Sequence, residues 1–512
     1  MNNLSFKEQL FLHLDGIVII PILSIFNKVG ILKYIINKEE FTLNELSNHF
    51  DINKAYLNVL LRSLLSSGLL YIDEEQLFQE NKKYYSREKL KFFYTFSKEL
   101  DNFYLLSKQY INFEDSYNDR SLESNLFINC SNFILGLKDK ILNNNLNIHL
   151  YYYFEGFLIG PLFSYIGYLR MLPLNDQNIF NDIIKDILIK HEYIDSNDNF
   201  TEKGNFFFKR LASYGVTTSY LETLSNLDNI LINNSNIVWE RDSRGYEIHV
   251  NRSMNVWGSG GAHKYYFNKI DNIIINIFNA DIDKQPVGIV DIGCGDGTFL
   301  KHCYELITTK TLRKNFLDSH PLILIGADIN KAARISSRYT LNKKNINNII
   351  VKGNISDPGE LNKLLLNEYN LKLNDFINTR TFLDHNRIYS SPNELKNYNI
   401  KTTGAFCYKG KLITSNQITN NLIEHFSNWK QYSDKFGIII LELHTINPLI
   451  AHNNRGKTLA CSYDCTHGLS DQYLIEYDIF LKCAKEANLN LVKESELFPN
   501  STMATISINH FK

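Results

Sequence analysis

A glycine-rich segment with an acidic residue just before it is the clearest chemical feature of this sequence. Residues 290–300 read Val-Asp-Ile-Gly-Cys-Gly-Asp-Gly-Thr-Phe-Leu. Glycines allow a tight turn and let the backbone approach a ligand closely, because a Cβ would collide there. The spacing differs from the G-x-G-x-x-G dinucleotide fingerprint, and a carboxylate here would repel a pyrophosphate but attract a cationic ligand. The residues predicted to contact such a ligand are Asp291, Gly293, Gly295 and Gly297.

Two further polar segments end the next two predicted strands. Gly326-Ala-Asp328 ends the second strand, where a carboxylate can accept both hydroxyls of a ribose. Asn354 and Ile355 end the third strand. Three motifs in this order resemble class I S-adenosylmethionine-dependent methyltransferases. The resemblance implies S-adenosylmethionine as the cofactor, bound by Asp328 and the glycine-rich segment, with Asn354 and Ile355 beside its adenine amino group.

Histidine, arginine and carboxamide side chains gather in three segments of the second half. Each segment lies at the carboxyl end of a predicted strand or in the loop after it, the edge where open α/β sheets build sites. Such side chains could hold a divalent metal with water positions left for a substrate. A neutral histidine could also accept a proton there, because its ordinary pKa lies near physiological pH. The candidates are Arg380, His385, His444, His467 and Gln472.

The most specific stretches are Asp384-His-Asn-Arg and Thr466-His-Gly-Leu-Ser-Asp-Gln-Tyr. With the rest of residues 160–512, they resemble the metal-dependent C-methyltransferase domains of polyketide synthases. The resemblance implies a mononuclear iron (Fe) or manganese (Mn) that holds a malonyl-type thioester on an acyl carrier protein. Removing the α-proton of a thioester generates an enolate, which a chelating metal stabilises. The candidates then divide into the metal ligands His385 and Gln472 and the catalytic residues His444, His467 and Arg380.

Other functions remain open at this point. An O- or N-methyltransferase of a small aromatic metabolite would need no metal and would use a histidine base near a hydroxyl. A cofactor-sensing winged-helix regulator would need a basic face for DNA. A zinc site at Cys461 and Cys465 is disfavoured, because the second cysteine pair or nearby histidines of a zinc finger are missing. The chain carries no recognisable phosphopantetheine attachment motif, so we expect it to act on a separate carrier protein or on a small-molecule substrate.

The candidate residues need a β-sheet to position them. The sequence of the second half of the chain predicts such a sheet. From about residue 245, short β-branched strands alternate with helices, as in a doubly wound α/β sheet of Rossmann-like type. The long gap between Asp291 and Asp328 indicates an insertion around residues 312–320. The strands are predicted at residues 288–292, 322–328, 348–353, 375–378, 437–443 and 505–509.

The first half predicts an α-helical winged-helix and lid region. Helices at residues 43–49 and 54–67, followed by a hairpin within 68–85, form a winged-helix unit, and a second, degenerate copy follows. The helix at 54–67 carries only Lys54 and Arg62, whereas a recognition helix needs several basic residues. We therefore expect the region to form a homodimer or to cover the site rather than to bind nucleic acid. The predicted domains are residues 1–90, 91–245 and 246–512.

The composition of the chain argues against a nucleic-acid-binding, membrane or secreted protein. The 512 residues carry 54 Lys and Arg against 55 Asp and Glu, so there is no global attraction to nucleic acid or to anionic membranes. The apolar run at residues 16–26 contains Pro21 and is shorter than the roughly twenty residues of a membrane span. No secretion signal is recognisable. Seven sparse cysteines indicate reduced thiols. These features predict a cytoplasmic protein.

Overall fold

The computed structural model describes residues 4–79, 81–111, 113, 123–143, 147–171, 179–243 and 245–512. The chain divides into two compact units, each built from three chain segments. The first unit contains Met1–Gly261, Thr403–Ile413 and Asn447–Gln472. The second contains Ala262–Thr402, Thr414–Ile446 and Tyr473–Lys512. Two short segments from the second half of the chain therefore fold with the first unit.

Helices dominate the first unit and flank the strands of the second. In chain order the described helices are α1 (Phe6–Val29), α2 (Ile31–Ile36), α3 (Leu43–Phe50), α4 (Lys54–Ser66), α5 (Glu88–Tyr94), α6 (Ser97–Ile111), α7 (Ser124–Asn143), α8 (His149–Tyr168), α9 (Ile179–Lys190), α10 (Glu202–Phe208), α11 (Gly215–Thr218), α12 (Leu221–Ser225), α13 (Arg252–Phe278), α14 (Thr298–Lys310), α15 (Lys331–Asn342), α16 (Pro358–Tyr369), α17 (Ser415–Ser433), α18 (Pro448–Asn453), α19 (Ala460–Gly468) and α20 (Tyr477–Glu486).

The strands form three sheets. They are β1 (Phe41–Thr42), β2 (Leu70–Tyr71), β3 (Lys83–Ser86), β4 (Gly288–Ile292), β5 (Ile323–Ala327), β6 (Ile349–Val351), β7 (Ile377–Thr381), β8 (Phe406–Tyr408), β9 (Lys411–Ile413), β10 (Ile438–Leu443), β11 (Glu496–Phe498) and β12 (Ile506–Phe511). The first sheet has the order β1-β3-β2, the second β11-β12-β10-β7-β4-β5-β6, and β8 pairs with β9.

The core of the first unit is built on the crossing of α1 and α8. A Cβ on Gly16 would lie within 3 Å of the Tyr153 backbone, and a Cβ on Gly156 would collide with the His13 backbone. Only glycine at these two positions lets the helix backbones approach so closely. Since both helices are buried along most of their length, their packing supplies much of the hydrophobic core of this unit.

Helix α1 is longer than the apolar run at residues 16–26 suggested. A capping box between Ser5 and Glu8 starts the helix, which continues through Pro21 and ends at Gly30 in the left-handed region. It is the one helix of the described residues that is long and apolar enough to cross a membrane by length and composition. However, 94% of its most apolar window is buried inside the protein, as in the core helix of a folded domain. Burial offsets the hydrogen bond that proline removes.

The predicted winged-helix elements near the start of the chain are present. Helices α3 and α4 are followed by β2 and β3, and β3 also pairs with β1 to give a small antiparallel sheet. Almost all of α4 is buried, and the Arg62 guanidinium forms an ion pair with Asp464 at 3.2 Å in the same unit. The helix therefore packs within the protein and presents no basic recognition face.

The sheet of the second unit has a topological switch point between β4 and β7. Strands β4, β5 and β6 follow one another toward one edge, and the chain then crosses to β7 and β10 on the other side. These five strands are parallel, whereas β12 pairs antiparallel with β10. In such sheets a crevice forms beyond the carboxyl ends of the strands at the switch point. All six predicted strands are found within a few residues of their expected positions.

Candidate active site

The glycine-rich turn joins the end of β4 to the start of α14. Gly293, Gly295 and Gly297 have φ values of 75°, 52° and 79°. A Cβ on Gly293 would lie 2.7 Å from the Leu383 side chain, and one on Gly297 would lie 2.6 Å from Ser337 Oγ. At Gly295 a Cβ would meet nothing within 4 Å. The turn is therefore tightly packed at both ends and open in the middle, where a ligand can approach the backbone.

Asp291 lies in β4 and is almost fully buried. Thr379 on the neighbouring strand β7 donates a hydrogen bond to Asp291 Oδ1 at 3.0 Å. Burial, together with the nearby carboxylates of Asp328 and Asp296, raises the pKa of Asp291 to about 8. A cation placed beside this carboxyl group would favour its ionised form. The position thus suits the positively charged ligand that the sequence indicates.

Asp328 follows β5 and supports the turn directly. Its Oδ2 accepts a hydrogen bond from the Gly295 backbone N–H at 3.1 Å, and its Oδ1 accepts one from the Asn330 N–H at 2.8 Å. Burial raises the pKa of this carboxyl group. Because a carboxylate offers about four acceptor positions, these two bonds leave capacity for ribose hydroxyls. The predicted ribose and glycine-turn residues therefore lie together.

The third predicted cofactor segment follows β6. Asn354 Oδ1 accepts a hydrogen bond from the Ser356 backbone N–H at 3.0 Å, which shapes the turn. The buried Ile355 accepts a hydrogen bond at its carbonyl oxygen from Trp429 Nε1 at 2.7 Å. These contacts fix the segment at the same edge of the sheet as Asp328. The adenine contacts of Asn354 and Ile355 stay a prediction.

A small recess lies beside the glycine turn. Leu383, which packs on Gly293, follows β7 and precedes a short turn, Asp384–Asn386. This turn brings His385 to the wall of a narrow, partly open recess with room for about one water molecule. Arg387, Glu442 and His444 also line it. The recess therefore combines a histidine, a carboxylate and a guanidinium next to the turn that is predicted to hold the cofactor.

His385 and Glu442 form a buried pair in this recess. His385 Nδ1 lies 2.5 Å from Glu442 Oε1, and the His385 backbone N–H donates to Oε2 at 3.1 Å. The Leu443 N–H also donates to Glu442. An Nδ1–H donated to the carboxylate makes Nε2 the acceptor nitrogen of the neutral ring. The pair thus has the arrangement of a histidine base oriented by a carboxylate. Glu442 was not singled out in the sequence analysis.

Arg387 is a second residue that sequence reasoning left without a role. Its Nε donates to Asn421 Oδ1 at 2.7 Å, and its Nη1 donates to the Asp384 carbonyl oxygen at 2.8 Å. Its Nη2 is buried and has no hydrogen-bond partner among the described residues. A buried cationic donor without a partner costs free energy, and a bound anionic oxygen would compensate it. The burial of Arg387 in the wall of the recess marks it as a candidate functional residue, and this burial could not be predicted from the sequence alone.

His444 lines the same recess but is held at both ring nitrogens. Its Nδ1 lies 3.1 Å from the Ile475 carbonyl oxygen, and its Nε2 lies 2.7 Å from Ser507 Oγ. Burial lowers the pKa of His444 to about 4. Both contacts and the lowered pKa make this ring a weak proton acceptor at neutral pH. These contacts fit a positioning role, and the catalytic role predicted for His444 stays a prediction.

Arg380 lies under the recess rather than in it. Its side chain is fully buried in β7, where Nη2 lies 3.1 Å from Asp384 Oδ1 and Nη1 lies 3.2 Å from His425 Nε2. Its guanidinium also stacks over the Trp429 ring at 4.9 Å. These contacts fix Asp384, the residue before His385. These contacts fit a positioning role, and the catalytic role predicted for Arg380 stays a prediction.

The remaining two predicted residues belong to the first unit. Gln472 Nε2 donates to Tyr220 Oη at 3.0 Å and to Ser470 Oγ at 2.8 Å. His467 lies in α19, where its Nδ1 is 2.8 Å from the Tyr463 carbonyl oxygen. Among the described residues, no group of three or more His, Cys, Asp or Glu side chains is placed to hold a metal ion. The metal ligation predicted for His385 and Gln472 and the catalytic role predicted for His467 stay predictions.

Comparison with known families agrees with this geometry. A family model described as the AprA MT2-like domain matches residues 247–509, about half of the chain. This chain belongs to the AprA MT2-like methyltransferase family. Models of the AprA N-terminal domain and the AprA winged helix domain match residues 6–72 and 155–234. The chain is thus an S-adenosylmethionine-dependent methyltransferase with a winged-helix region before its catalytic sheet, and the predicted resemblance is confirmed.

Several solved structures are similar to this methyltransferase, but their sequence identity to it is low. A Burkholderia thailandensis O-methyltransferase family protein is 9% identical, with 69% of this chain and 94% of that chain covered and a TM-score of 0.37. A Planctomyces limnophilus O-methyltransferase family 2 protein in complex with apigenin is 9% identical, with 99% and 95% covered and a TM-score of 0.38. The citrinin polyketide synthase CMeT domain is 12% identical, with 75% and 96% covered and a TM-score of 0.36. No curated protein matches the chain.

Proposed function

We propose that this methyltransferase methylates the α-carbon of a malonyl-type or β-ketoacyl thioester carried on an acyl carrier protein. The observation that carries the proposal is the recess in which His385, oriented by Glu442, lies with the unpartnered Nη2 of Arg387. A base and a buried cationic donor together are what enolate formation requires. The membership of the AprA MT2-like family supports methyl transfer itself, and the substrate class comes from the resemblance to polyketide synthase C-methyltransferase domains.

Each residue of the recess has a distinct role in the proposed mechanism. His385 accepts the α-proton of the thioester at Nε2, and Glu442 stabilises the imidazolium that forms. Arg387 donates from Nη2 to the carbonyl oxygen, where negative charge develops in the enolate. S-adenosylmethionine, when bound, would supply the methyl group: the α-carbon would attack it as the methyl–sulfur bond breaks and S-adenosylhomocysteine leaves, and the protein would contribute mainly alignment. The glycine turn and Asp328 orient the cofactor for that attack.

The donor set fits a metal only in part. A carboxylate such as Glu442 commonly holds the second nitrogen of a metal-binding histidine, so His385 suits this role. The amide nitrogen of Gln472 donates to two hydroxyl groups, and the described residues supply no three-residue His, Cys, Asp or Glu cluster. No step of the proposed mechanism is therefore assigned to a metal.

The test is methyl transfer to malonyl- and methylmalonyl-loaded carrier protein by the full chain, with and without a chelator. Mass spectrometry and NMR of the product identify the methylated atom. We expect a new carbon–methyl bond at the α-position and equal rates with and without chelator. Loss of activity with chelator, restored by Fe or Mn, would replace the role proposed for Arg387 by the metal. Methylation of aromatic hydroxyls but of no thioester would overturn the substrate class.

A further inference from the structure

A cluster of basic side chains lies in the first unit and takes no part in the site described above. We name Arg87, Lys89, His149, His452 and Arg455 the basic cluster. They come from the segment after β3, the first residue of α8, and the end of α18 with the turn that follows it. All five side chains are partly exposed, so the cluster reaches solvent.

Arg455 lies at the centre of the basic cluster. Its Nε lies 3.4 Å from His149 Nδ1, and its Nη1 contacts the ring of His452. A Cβ on Gly68 would lie 2.6 Å from Nη1, so the guanidinium is held against the backbone there. The Arg87 guanidinium is 5.5 Å from the Tyr71 ring centre. These contacts hold the arginines in place and spare a ligand much of the ordering cost.

The charges of the basic cluster repel one another. Burial and the neighbouring Arg455 and Arg87 lower the pKa of Lys89 to about 8. Burial and the nearby cations also lower the pKa of His149 and of His452 to about 4. Three cations and two neutral imidazoles in a half-buried position destabilise the protein unless an anion offsets them.

Acidic groups of the same unit do not provide that anion. No ion pair joins Arg87, Lys89 or Arg455 to a carboxylate among the residues that the structure describes. Glu8 is partly buried and bonded within the capping box with Ser5, and the exposed Glu88 pairs with Lys91 at 3.1 Å. Asp15 is buried, which raises its pKa well above the ordinary value and favours the neutral form.

We propose that the basic cluster binds a phosphate group. The guanidinium of Arg455 and the ammonium of Lys89 can donate to the oxygens of a phosphate, and the buried Nε of Arg87 has no hydrogen-bond partner among the described residues. The phosphate belongs either to a phosphopantetheine arm or to a free phosphate compound. The first source rests on the proposed carrier-protein substrate, whereas the site itself does not.

Calorimetric titration of the full chain tests the site without any turnover. The probes are inorganic phosphate, 4′-phosphopantetheine, and pantetheine, which lacks the phosphate. We expect the first two to bind and pantetheine to bind at least tenfold more weakly. Arg455→Gln and Lys89→Gln should each weaken phosphate binding about tenfold or more, which corresponds to one lost charge-assisted contact. The matched control Lys209→Gln, an exposed lysine outside the cluster, should leave binding unchanged.

Thermal melting separates a binding role from a structural one. Both cluster variants remove a repulsive charge, so we expect them to melt no lower than wild type, and phosphate should raise the melting temperature of wild type only. Equal phosphate affinity in wild type and both variants would overturn the proposal, and so would pantetheine binding as tightly as phosphopantetheine. A raised KM with unchanged kcat for the loaded carrier protein assigns the phosphate to the arm. An unchanged KM assigns it to a free compound.

Discussion

His385 and Glu442 are joined twice, once from the ring Nδ1 at 2.5 Å and once from the backbone N–H at 3.1 Å. His385 follows β7, Glu442 lies near the end of the adjacent parallel strand β10, and the two residues are 57 positions apart in the chain. The double contact fixes both the tautomer and the direction of the imidazole ring. The proton chemistry of the recess therefore depends on this carboxylate as much as on the histidine.

Replacing the carboxylate tests that dependence. Glu442→Gln keeps an acceptor oxygen but loses the charge that stabilises the imidazolium, so we expect kcat to fall about 10- to 100-fold. Binding of S-adenosylhomocysteine should stay unchanged, because Glu442 contacts no predicted cofactor residue. Steady-state kinetics and calorimetry measure the two effects. The control is Glu368→Gln, an exposed glutamate of the same unit. Unchanged kcat in Glu442→Gln would contradict the role of the pair.

Arg387 can be tested before any methyl group moves. In deuterated buffer with S-adenosylhomocysteine, the enzyme should exchange the α-proton of a carrier-bound thioester through the enolate. We expect Arg387→Gln to slow this exchange about 100- to 1000-fold, the usual cost of one oxyanion donor. Arg387→Lys should recover part of the rate because it keeps the charge. Exchange at the wild-type rate in Arg387→Gln would remove Arg387 from the mechanism.

The raised pKa of Asp291 predicts a pH dependence. The carboxyl group ionises near its ordinary value of 3.8 in the unfolded chain and near 8 in the folded protein. Its neutral form thus stabilises the fold at low pH, and that contribution is lost as pH rises from about 4 to about 8. Asp291→Asn should therefore gain thermal stability relative to wild type over this range. Melting curves between pH 5 and pH 9 measure it, and a constant difference would refute the assignment.

Cofactor affinity supplies a second readout for the same residue. The ionised carboxylate of Asp291 attracts a cationic ligand, so wild-type affinity for S-adenosylmethionine should rise as pH approaches 8. Asp291→Asn should bind more weakly and lose this dependence. Calorimetric titrations at several pH values distinguish the two proteins, with Asp283→Asn as an exposed acidic control.

Replacement by alanine should affect stability differently at Gly293 and Gly295, two glycines of the glycine-rich turn. Gly295→Ala places its Cβ in open space, so the fold should lose only about 1–2 kcal/mol, the cost of a left-handed backbone at a residue with a Cβ. Cofactor binding should nevertheless be strongly weakened, because the methyl group occupies the approach to the turn. Gly293→Ala adds a collision with Leu383 and should cost more stability. Urea denaturation and cofactor titration give both values. Equal effects at the two positions would show that the turn is not open at Gly295.

Arg380 should behave as a stabilising residue. Arg380→Gln leaves the buried Asp384 without its ion-pair partner, and removing one partner of a buried pair costs about 3–5 kcal/mol. We expect this loss in urea denaturation and a secondary loss of kcat, since Asp384 holds the turn that carries His385. Lys363→Gln, an exposed change of the same charge, should have little effect. A stable but inactive Arg380→Gln would instead support the predicted catalytic role.

Local patterns of the sequence predict the second half of the chain well. Strands such as β4 and β10 are runs of buried apolar residues, so both their positions and the site at their carboxyl ends follow from periodicity and turn chemistry. The short strand β11 was missed because its residues are only partly buried and carry no distinct pattern. The predicted insertion is present as a short turn in which the buried Arg313 donates to several backbone carbonyls.

Residues that act through tertiary contacts were harder to predict. Glu442 reads as an ordinary strand residue until folding places it against His385, and Arg387 gains its interest only because burial leaves Nη2 without a partner. The apolar run at residues 16–26 also gave too short a segment, because α1 extends from Phe6 to Val29 and polar positions outside the run are buried with it. Contacts between residues that are far apart in the chain thus could not be predicted from a single sequence.

The crossing of α1 and α8 also has a consequence for how the protein is made. The apolar surface of α1 leaves the ribosome more than a hundred residues before α8, the helix that covers it. Until then a long, hydrophobic helix stays without its partner, and such exposed surface is prone to aggregate. Heterologous production should therefore improve with slower translation or with added chaperones, whereas the separately expressed first 140 residues should be insoluble.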